Sequence, residues 1–109
     1  MSFVPKGYVK CKKTPVFGVQ DMPAIYRERH FTRPGVYEQI HVIQGELLFF
    51  GYRDKQGQVE REIKLGANET AISHPGYWHS IEPLTQDTQF EIHFFIKPQG
   101  LVEEASAAE

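Results

Sequence analysis

Histidine and glutamate side chains are the groups in this chain that could bind a metal ion or transfer a proton. The five histidines are His30, His41, His74, His79 and His93. None of them has the H-E-x-x-H spacing of a helical zinc site, and the single Cys11 cannot build a cysteine-rich zinc site. A metal site would therefore have to be assembled from separate strands. Its carboxylate candidates are Glu28, Glu38, Glu82 and Glu91.

A Pro75-Gly76 turn stands just before His79 in the sequence. Proline restricts φ and glycine tolerates a positive φ, so this turn would hold His79 at the mouth of whatever the strands enclose. Tyr77 and Trp78 would shield that mouth from water. An imidazole held in this way suits a metal ligand or an acid–base group, and it equally suits a turn histidine that hydrogen-bonds a carbonyl group.

The elements that would position these side chains are predicted to be short strands. Apolar residues do not recur at helical spacing over 12 residues, and turn signals return every 8–12 residues, which is typical of an antiparallel sandwich or barrel. The predicted strands are residues 8–13, 24–32, 36–43, 46–53, 59–65, 70–73 and 90–96, with another beginning at Trp78. The side chains expected to meet in the interior are Leu48, Phe50, Tyr52, Phe90, Ile92 and Phe94.

Composition restricts the class of protein. The 109 residues are 40% hydrophobic and 13% aromatic, which is enough for the core of one domain. The net charge is −2 and no long run of lysine or arginine occurs, so a nucleic-acid surface is not indicated. The lysines within residues 1–20 interrupt any signal peptide, no membrane-spanning segment is present, and the lone cysteine fits a reducing compartment. We therefore expect a cytoplasmic protein without a membrane or nucleic-acid partner.

Two spacings in the chain resemble the motifs of the cupin superfamily. They are Glu38 to Gly45 for the first motif and Gly76 to His79 for the second. A narrower resemblance is to the small cupin-like domain at the N-terminus of tellurite-resistance methyltransferases and to its stand-alone bacterial relatives. It is based on matches between about Pro15 and Pro98, which are Glu28-Arg29-His30, residues 32–37, Gly45, Trp78-His79, Glu82 and residues 87–95.

This resemblance implies an all-β fold, a double-stranded β-helix or jelly-roll barrel in a single domain. Residues 1–14 would form an N-terminal arm and edge strand, residues 15–98 the barrel, and residues 99–109 a flexible tail. Because lysines on the first strand and the aromatic content leave an edge that a second copy could cover, we also expect a homodimer.

The resemblance also implies a metal site. His30 and His79 match ligand positions, and Glu38 is the best third candidate, whereas the usual H-x-H pair before the glutamate is absent. Such ligands suit zinc, iron, manganese or nickel, and binding should weaken as pH drops through about 6 because the imidazoles must be neutral. The structural alternatives are an ion pair for His30 and a solvated strand position for Glu38. For His41 and His93 we favour hydrogen-bonded sheet histidines.

Three further side chains are candidate contacts for an oxyanion or another small ligand. They are Arg29, Arg33 and Glu82, and arginine is suited to bidentate binding of an oxyanion. For the two arginines an ordinary exposed charge is an equal alternative. Trp78 is interpreted as a core residue rather than a platform for substrate.

Two hypotheses for function follow from these assignments. In the methyltransferases that the chain resembles, methyl transfer would belong to a separate domain that binds S-adenosylmethionine, and we expect none of that chemistry from a barrel of 109 residues. The first hypothesis is a non-catalytic module that binds a metal ion, an oxyanion or another small ligand during chemical stress. The second is a small metal-dependent enzyme of cupin type, such as an oxygenase or isomerase.

Overall fold

Alternating apolar and polar segments, separated by glycine and proline turns, form an almost entirely β structure. The computed structural model describes residues 3–98, in which backbone hydrogen bonds define nine strands and one short 3₁₀ helix, Ala24–Tyr26. The strands are β1 (Val9–Lys13), β2 (Phe17–Gly18), β3 (His30–Phe31), β4 (Tyr37–Gln44), β5 (Leu47–Tyr52), β6 (Val59–Leu65), β7 (Thr70–Ser73), β8 (Trp78–Pro83) and β9 (Gln89–Ile96). The predicted tail, residues 99–109, lies outside the described residues.

The strands form two antiparallel sheets. One sheet has the order β1-β9-β4-β7, with β2 also paired to β9, and the other has the order β3-β8-β5-β6. Strands that lie side by side are therefore often far apart in sequence: β9 lies between β1 and β4, and β8 lies between β3 and β5. The all-β prediction is confirmed at this level. Within residues 3–98 there is also no helix with the length and apolar composition needed to span a bilayer.

The core lies between the facing sides of the two sheets. Strand β4 turns Ile40 and Val42 inward and β9 turns Phe90 and Ile92 inward, each at most 2% exposed. Glu38 is also buried and shares the inward side of β4, because side chains alternate along a strand. A carboxylate is thereby placed at one end of an otherwise apolar row.

The predicted strand over residues 24–32 is wrong for most of its length. Residues 24–26 form the 3₁₀ helix, with Tyr26 N–H donating to the carbonyl of Pro23, and only His30–Phe31 pair as a strand. The alternation of side chains in residues 24–29 does not show whether a partner strand lies beside them. Without a partner strand, the N–H and C=O groups of an extended backbone have no hydrogen-bond partners. The short strand β2 precedes this segment and was not among the predicted strands.

The predicted inward side of β5 is also wrong. Leu47 and Phe49 are completely buried, whereas Leu48 and Phe50 are only partly buried. A near-continuous apolar run has no alternation to show which side faces the core, so its register is set by pairing with β6 and β8. Tyr52 lies on the same side of β5 as Phe50 and is nevertheless buried, because the Arg29 guanidinium covers its ring and its hydroxyl is hydrogen-bonded to that of Ser80.

The predicted Pro75-Gly76 turn is present and is tied to the segment that follows β3. Gly76 has a φ of +81°, and its N–H donates to the carbonyl of Thr32 over 2.7 Å. The N–H of Thr32 in turn donates to the carbonyl of Tyr77 over 2.8 Å. These two bonds fix β3 against the start of β8, which sets the positions of the histidines on both strands.

Candidate functional site

His30 and His79 lie directly opposite each other on neighbouring strands. They form one cross-strand pair of β3 and β8, so both side chains project from the same side of the sheet. Their ring centroids are 5.4 Å apart, with the rings nearly perpendicular. His79 is completely buried, and the ring of Phe49 stacks on it at 5.8 Å, while the His30 side chain is 28% exposed.

Glu38 reaches the two imidazoles from the other sheet. Its Oε1 atom lies 3.6 Å from Nε2 of His79, and its Oε2 atom lies 4.0 Å from Nε2 of His30. Neither Oε1 of Glu38 nor Nε2 of His79 has a hydrogen-bond partner among the described residues, although both atoms are buried. The structure thus brings together the three side chains that the sequence put forward as metal ligands.

A threonine and a serine fix the orientation of these groups. The Thr32 hydroxyl lies 2.7 Å from the hydroxyl of Ser73 and 3.3 Å from Nδ1 of His79, and it is hydrogen-bonded to Glu38 as well. A hydroxyl has one proton, and donating it to the carboxylate leaves Thr32 to accept from Ser73 and from Nδ1 of His79. The lone pair of His79 then lies on Nε2 and faces Glu38.

Burial changes the charge states of all three groups. It raises the pKa of Glu38 from 4.5 to about 7, against the opposing effects of the Thr32 hydrogen bond and of the Arg33 and Lys12 charges. It lowers the pKa of His79 to about 3, assisted by the nearby His30, and burial alone lowers the pKa of His30. Both imidazoles are therefore neutral at pH 7, as metal ligands must be.

The separations in this cluster are slightly wider than those of a formed metal site. Two ligand atoms about 2.1 Å from a tetrahedral metal ion lie about 3.4 Å apart, which is less than the 3.6 and 4.0 Å found here. Accordingly, no group of three or more His, Cys, Asp or Glu side chains within residues 3–98 already has the arrangement of a metal site. Shifts of about half an ångström or less would bring each carboxylate oxygen to that distance from its imidazole nitrogen.

The site opens to solvent through a cavity of about 150 Å³ beside His30 and Glu38. Its lining residues are Lys12, His30, Phe31, Arg33, Val36, Glu38 and Phe94. Arg33, proposed from the sequence as a ligand contact, lies at this opening. Lys12 joins it from β1, and nothing in the sequence indicated that this strand would border the site.

Arg29 and Glu82 do not lie at this opening. The Arg29 guanidinium stacks on the ring of Tyr52 at 3.7 Å, and its Nη1 atom donates to the carbonyls of Lys55 and Gly57, so this side chain is held within the structure. Glu82 is exposed on β8 and points to the opposite side from His79, because the two positions differ by three residues along the strand. Trp78 also points away from His79 and packs on Phe31 at 5.0 Å, so it does not shield the site.

Side chains that the sequence did not suggest enclose the site instead. Tyr26, from the 3₁₀ helix, places its ring edge-on to His30 at 5.2 Å, and burial together with the Glu38 charge raises its pKa. Thr32 and Ser73 supply the hydrogen bonds described above. These residues carried no sequence signal, since buried hydroxyls and a tyrosine in a turn are ordinary features of any β protein.

The remaining sheet histidines form a separate cluster on the outer side of the five-stranded sheet. The rings of His41 and His93 stack at 3.8 Å. Nε2 of His41 lies 2.7 Å from the amide oxygen of Gln39, and Nε2 of His93 is hydrogen-bonded to Glu91. Both rings have hydrogen-bond partners, which agrees with the interpretation of sheet histidines.

Comparison with known families identifies the chain. The TehB-like domain family matches residues 12–92. This protein belongs to the TehB-like domain family. The matched residues include His30, Glu38 and His79, and only the two ends of the chain lie outside the match.

Two relatives of the chain differ in how much of their length it covers. The uncharacterized protein YeaR of Escherichia coli K12 is 38% identical over 106 residues, which is 94% of this chain and 89% of YeaR. A crystal structure of an E. coli K12 protein superposes with a TM-score of 0.82 at 37% identity, covering 90% of this chain and 99% of that one.

The second protein is larger. TehB of Haemophilus influenzae, a probable S-adenosyl-L-methionine-dependent methyltransferase, is 24% identical over 88 residues, which is 81% of this chain but 31% of TehB. Its crystal structure superposes with a TM-score of 0.77 at 25% identity and covers 84% of this chain. The aligned part of this chain thus corresponds to about a third of TehB and to nearly nine-tenths of YeaR.

Proposed function

We propose that this TehB-like protein is a small-ligand-binding module that holds a divalent metal ion with His30, Glu38 and His79. We further infer that its two sheets form a jelly-roll barrel of the cupin type, in which such sites lie at one end. The observation that carries the proposal is the pair of facing, unpartnered atoms, Nε2 of His79 and Oε1 of Glu38.

Two buried lone pairs facing each other are unfavourable without something between them. An unsatisfied buried polar atom costs about 1–3 kcal/mol, and here two such atoms are 3.6 Å apart. A cation would satisfy both, in the tautomer of His79 whose Nδ1 donates to Thr32 and whose Nε2 lone pair faces Glu38. The competing arrangement is a proton on Glu38 that bonds to Nε2 of His79, which the raised pKa of Glu38 permits.

The chemistry of the donor set fits a first-row divalent metal better than calcium or magnesium. Two imidazole nitrogens and one carboxylate suit zinc, iron, manganese or nickel, whereas the harder cations prefer oxygen ligands throughout. Bound there, the metal would act as a Lewis acid with positions left for a ligand that enters past His30. His79 and Thr32 would keep the ligand atoms in place, and Phe49 would exclude water from behind.

A metal-dependent enzyme is the second candidate, and one observation favours it. The pKa of Glu38 is raised to about 7, so this carboxylate could accept or return a proton near neutral pH. Its Oε2 atom faces the partly exposed His30, which borders the opening. Methyl transfer is not proposed for this chain. The alignment covers only 31% of TehB, and the methyltransferase name describes the whole TehB protein.

Metal analysis tests the proposal. Protein purified without chelator, or stripped and titrated with Zn²⁺, Mn²⁺, Ni²⁺ or Fe²⁺ under anaerobic conditions, should bind about one ion per chain. Glu38→Gln and His30→Ala should each lose that ion while keeping a β-rich circular dichroism spectrum. His74→Ala is the matched control, since this exposed histidine lies outside the cluster and its ring packs on those of Tyr37 and Tyr77.

Two outcomes would contradict the metal site. One is wild-type protein that binds none of these ions, and the other is stoichiometric binding that survives both substitutions. A turnover screen on the metal-loaded protein then separates the two candidate functions. Conversion of any cupin-type substrate that requires Glu38 would favour the enzyme over the binding module.

A further inference from the structure

Two cationic side chains converge on the opening in front of Glu38. Lys12 projects from β1 and Arg33 from the turn after β3, and both border the cavity of about 150 Å³. Within residues 3–98 neither side chain makes a hydrogen bond or an ion pair, and the Lys12 ammonium lies over the ring of Phe94 at 5.0 Å. Their donors are therefore available to a ligand in the cavity.

The charges around the cavity leave it net positive. Lys12 and Arg33 contribute two positive charges, and Glu38 is the single carboxylate in the lining. His30 is the remaining titratable group there. An anion that enters this opening therefore meets two cations at the rim and one carboxylate at the back.

The rest of the cavity lining is apolar. Phe31, Val36 and Phe94 form its walls, and Phe31 is held in place by packing on Trp78. Cations at the rim beside aromatic and aliphatic walls suit a ligand with one charged end and one apolar end.

We propose that this cavity binds a small organic carboxylate with a short apolar chain. Arg33 and Lys12 hold the carboxylate, the arginine through two parallel N–H donors, and the chain lies against Phe31, Val36 and Phe94. This deepens the proposed function by naming the class of ligand that would lie beside the metal ion, although binding through these residues does not itself require the metal.

The size and charge of the cavity favour some classes of anion over others. Its volume of about 150 Å³ has room for a short-chain carboxylate with two to four carbon atoms. A multiply charged inorganic oxyanion would place more negative charge near Glu38 and would leave the apolar walls without contacts. The monovalent carboxylate is thus favoured over phosphate or sulfate.

A titration of ¹⁵N-labelled, chelator-treated protein with sodium butyrate tests the proposal. The amide signals of Lys12, Phe31, Arg33 and Val36 should shift and saturate in the millimolar range, more weakly at high salt because the contacts are ionic. Sodium phosphate should bind at least several-fold more weakly, and butylammonium should cause no saturable shift at these residues.

Charge-matched variants identify the residues responsible. Lys12→Ala/Arg33→Ala should weaken butyrate binding about tenfold or more, since it removes both charge-assisted contacts. Lys10→Ala/Arg53→Ala changes the net charge equally at exposed positions outside the cavity and should bind butyrate like the wild type. Three results would overturn the proposal. They are the absence of a saturable shift with butyrate, wild-type butyrate affinity in Lys12→Ala/Arg33→Ala, and phosphate binding as tight as that of butyrate.

Metal binding by the same variants keeps the two proposals separable. Lys12→Ala/Arg33→Ala should still bind the metal ion, because neither residue is among its proposed ligands. His79→Ala should lose the metal but keep butyrate binding, because His79 does not line the cavity. Butyrate binding without any metal binding would leave this inference standing alone, and metal binding without butyrate binding would leave only the metal site.

Discussion

Nε2 of His79 lies 3.6 Å from Oε1 of Glu38, and within the described residues neither buried atom has a hydrogen-bond partner. One residue belongs to β8 of the four-stranded sheet and the other to β4 of the five-stranded sheet. Their burial moves their pKa values in opposite directions, since it disfavours the charged form of each. This opposition makes their effects on stability measurable.

The metal-free protein should show little net effect of these two groups on its stability between about pH 4.5 and 6.5. Glu38 has a raised pKa, so its contribution is full below pH 4.5 and is lost as pH rises through about 7. His79 has a lowered pKa, so its contribution is full above pH 6.5 and is lost as pH falls toward 3. The two slopes cancel in between.

Glu38→Gln should remove that cancellation. The free energy of unfolding of this variant, relative to wild type, should fall by up to about 1.4 kcal/mol per pH unit as pH drops from 7 to 4.5. Urea denaturation in chelator at several pH values measures it, with Glu82→Gln as the exposed control that should follow wild type. If Glu38→Gln kept a constant difference from wild type, the assigned charge states would be wrong.

Metal binding at pH 6 should release about one proton from Glu38. The sequence predicted that protonation of the imidazoles would weaken binding near pH 6, but the pKa values of both histidines are lowered, whereas that of Glu38 is about 7. Calorimetry in buffers of different ionisation enthalpy counts the released protons, which should decline toward zero at pH 8. No proton release at pH 6 would contradict the structure of this site.

Phe49→Ala should destabilise the protein far more than Phe50→Ala. Phe49 is completely buried and stacks on His79, so its truncation should cost about 3–5 kcal/mol, whereas the partly buried Phe50 should cost about 1–2 kcal/mol. Chemical denaturation of both variants gives the comparison. Equal losses, or a larger loss for Phe50, would support the opposite register of β5.

Gly45→Ala should lower the stability of the protein much more than Gly35→Ala, although both glycines have a positive φ. Gly35 has open space where the Cβ of an alanine would lie, so the substitution should cost only about 1 kcal/mol of backbone strain. At Gly45 the added Cβ would lie 2.7 Å from Cα and 2.9 Å from N of Thr88, which adds a backbone clash. Thermal unfolding should therefore separate the two variants, and matching midpoints would refute the close approach.

Arg29→Ala should reduce stability without affecting ligand binding. The substitution removes two hydrogen bonds to the carbonyls of Lys55 and Gly57 and the stacking on Tyr52, at a cost of about 1.5–3 kcal/mol. Arg53→Ala, which breaks an exposed ion pair with Glu60, should stay within about 0.5 kcal/mol of wild type. A loss of butyrate binding in Arg29→Ala would instead indicate that this arginine contacts the ligand.

Sequence reasoning reached the residues whose position depends on local turns or on family spacing. The Pro75-Gly76 turn and the strands on either side of it follow from local backbone preferences, and His79 follows from the turn. Glu38 was reached through the spacing of the first cupin motif, whereas the family match over residues 12–92 is to the TehB-like domain.

What sequence reasoning missed depends on contacts between distant segments. Lys12 reaches the opening only because β1 pairs with β9, and Thr32 joins the site only through the hydrogen bonds that tie it to the turn at Gly76. Arg29 was assigned to a ligand because its charge is visible in the sequence, whereas its stacking on Tyr52 is not. The inward-facing side of β5 was predicted wrongly for the same reason, since an unbroken apolar run does not show which side chains face the core.

The position of β9 within its sheet bears on how the chain is made. Chains emerge from the ribosome from the N-terminus, yet β1 and β4 are separated by a gap that only residues 89–96 fill. Until those residues have appeared, the edges of both strands stay open to other chains, and Lys12 has no fixed place beside Glu38. Assembly of the sheet must therefore wait for nearly the whole described chain, so nascent chains stalled before Gln89 should be the form most prone to aggregate.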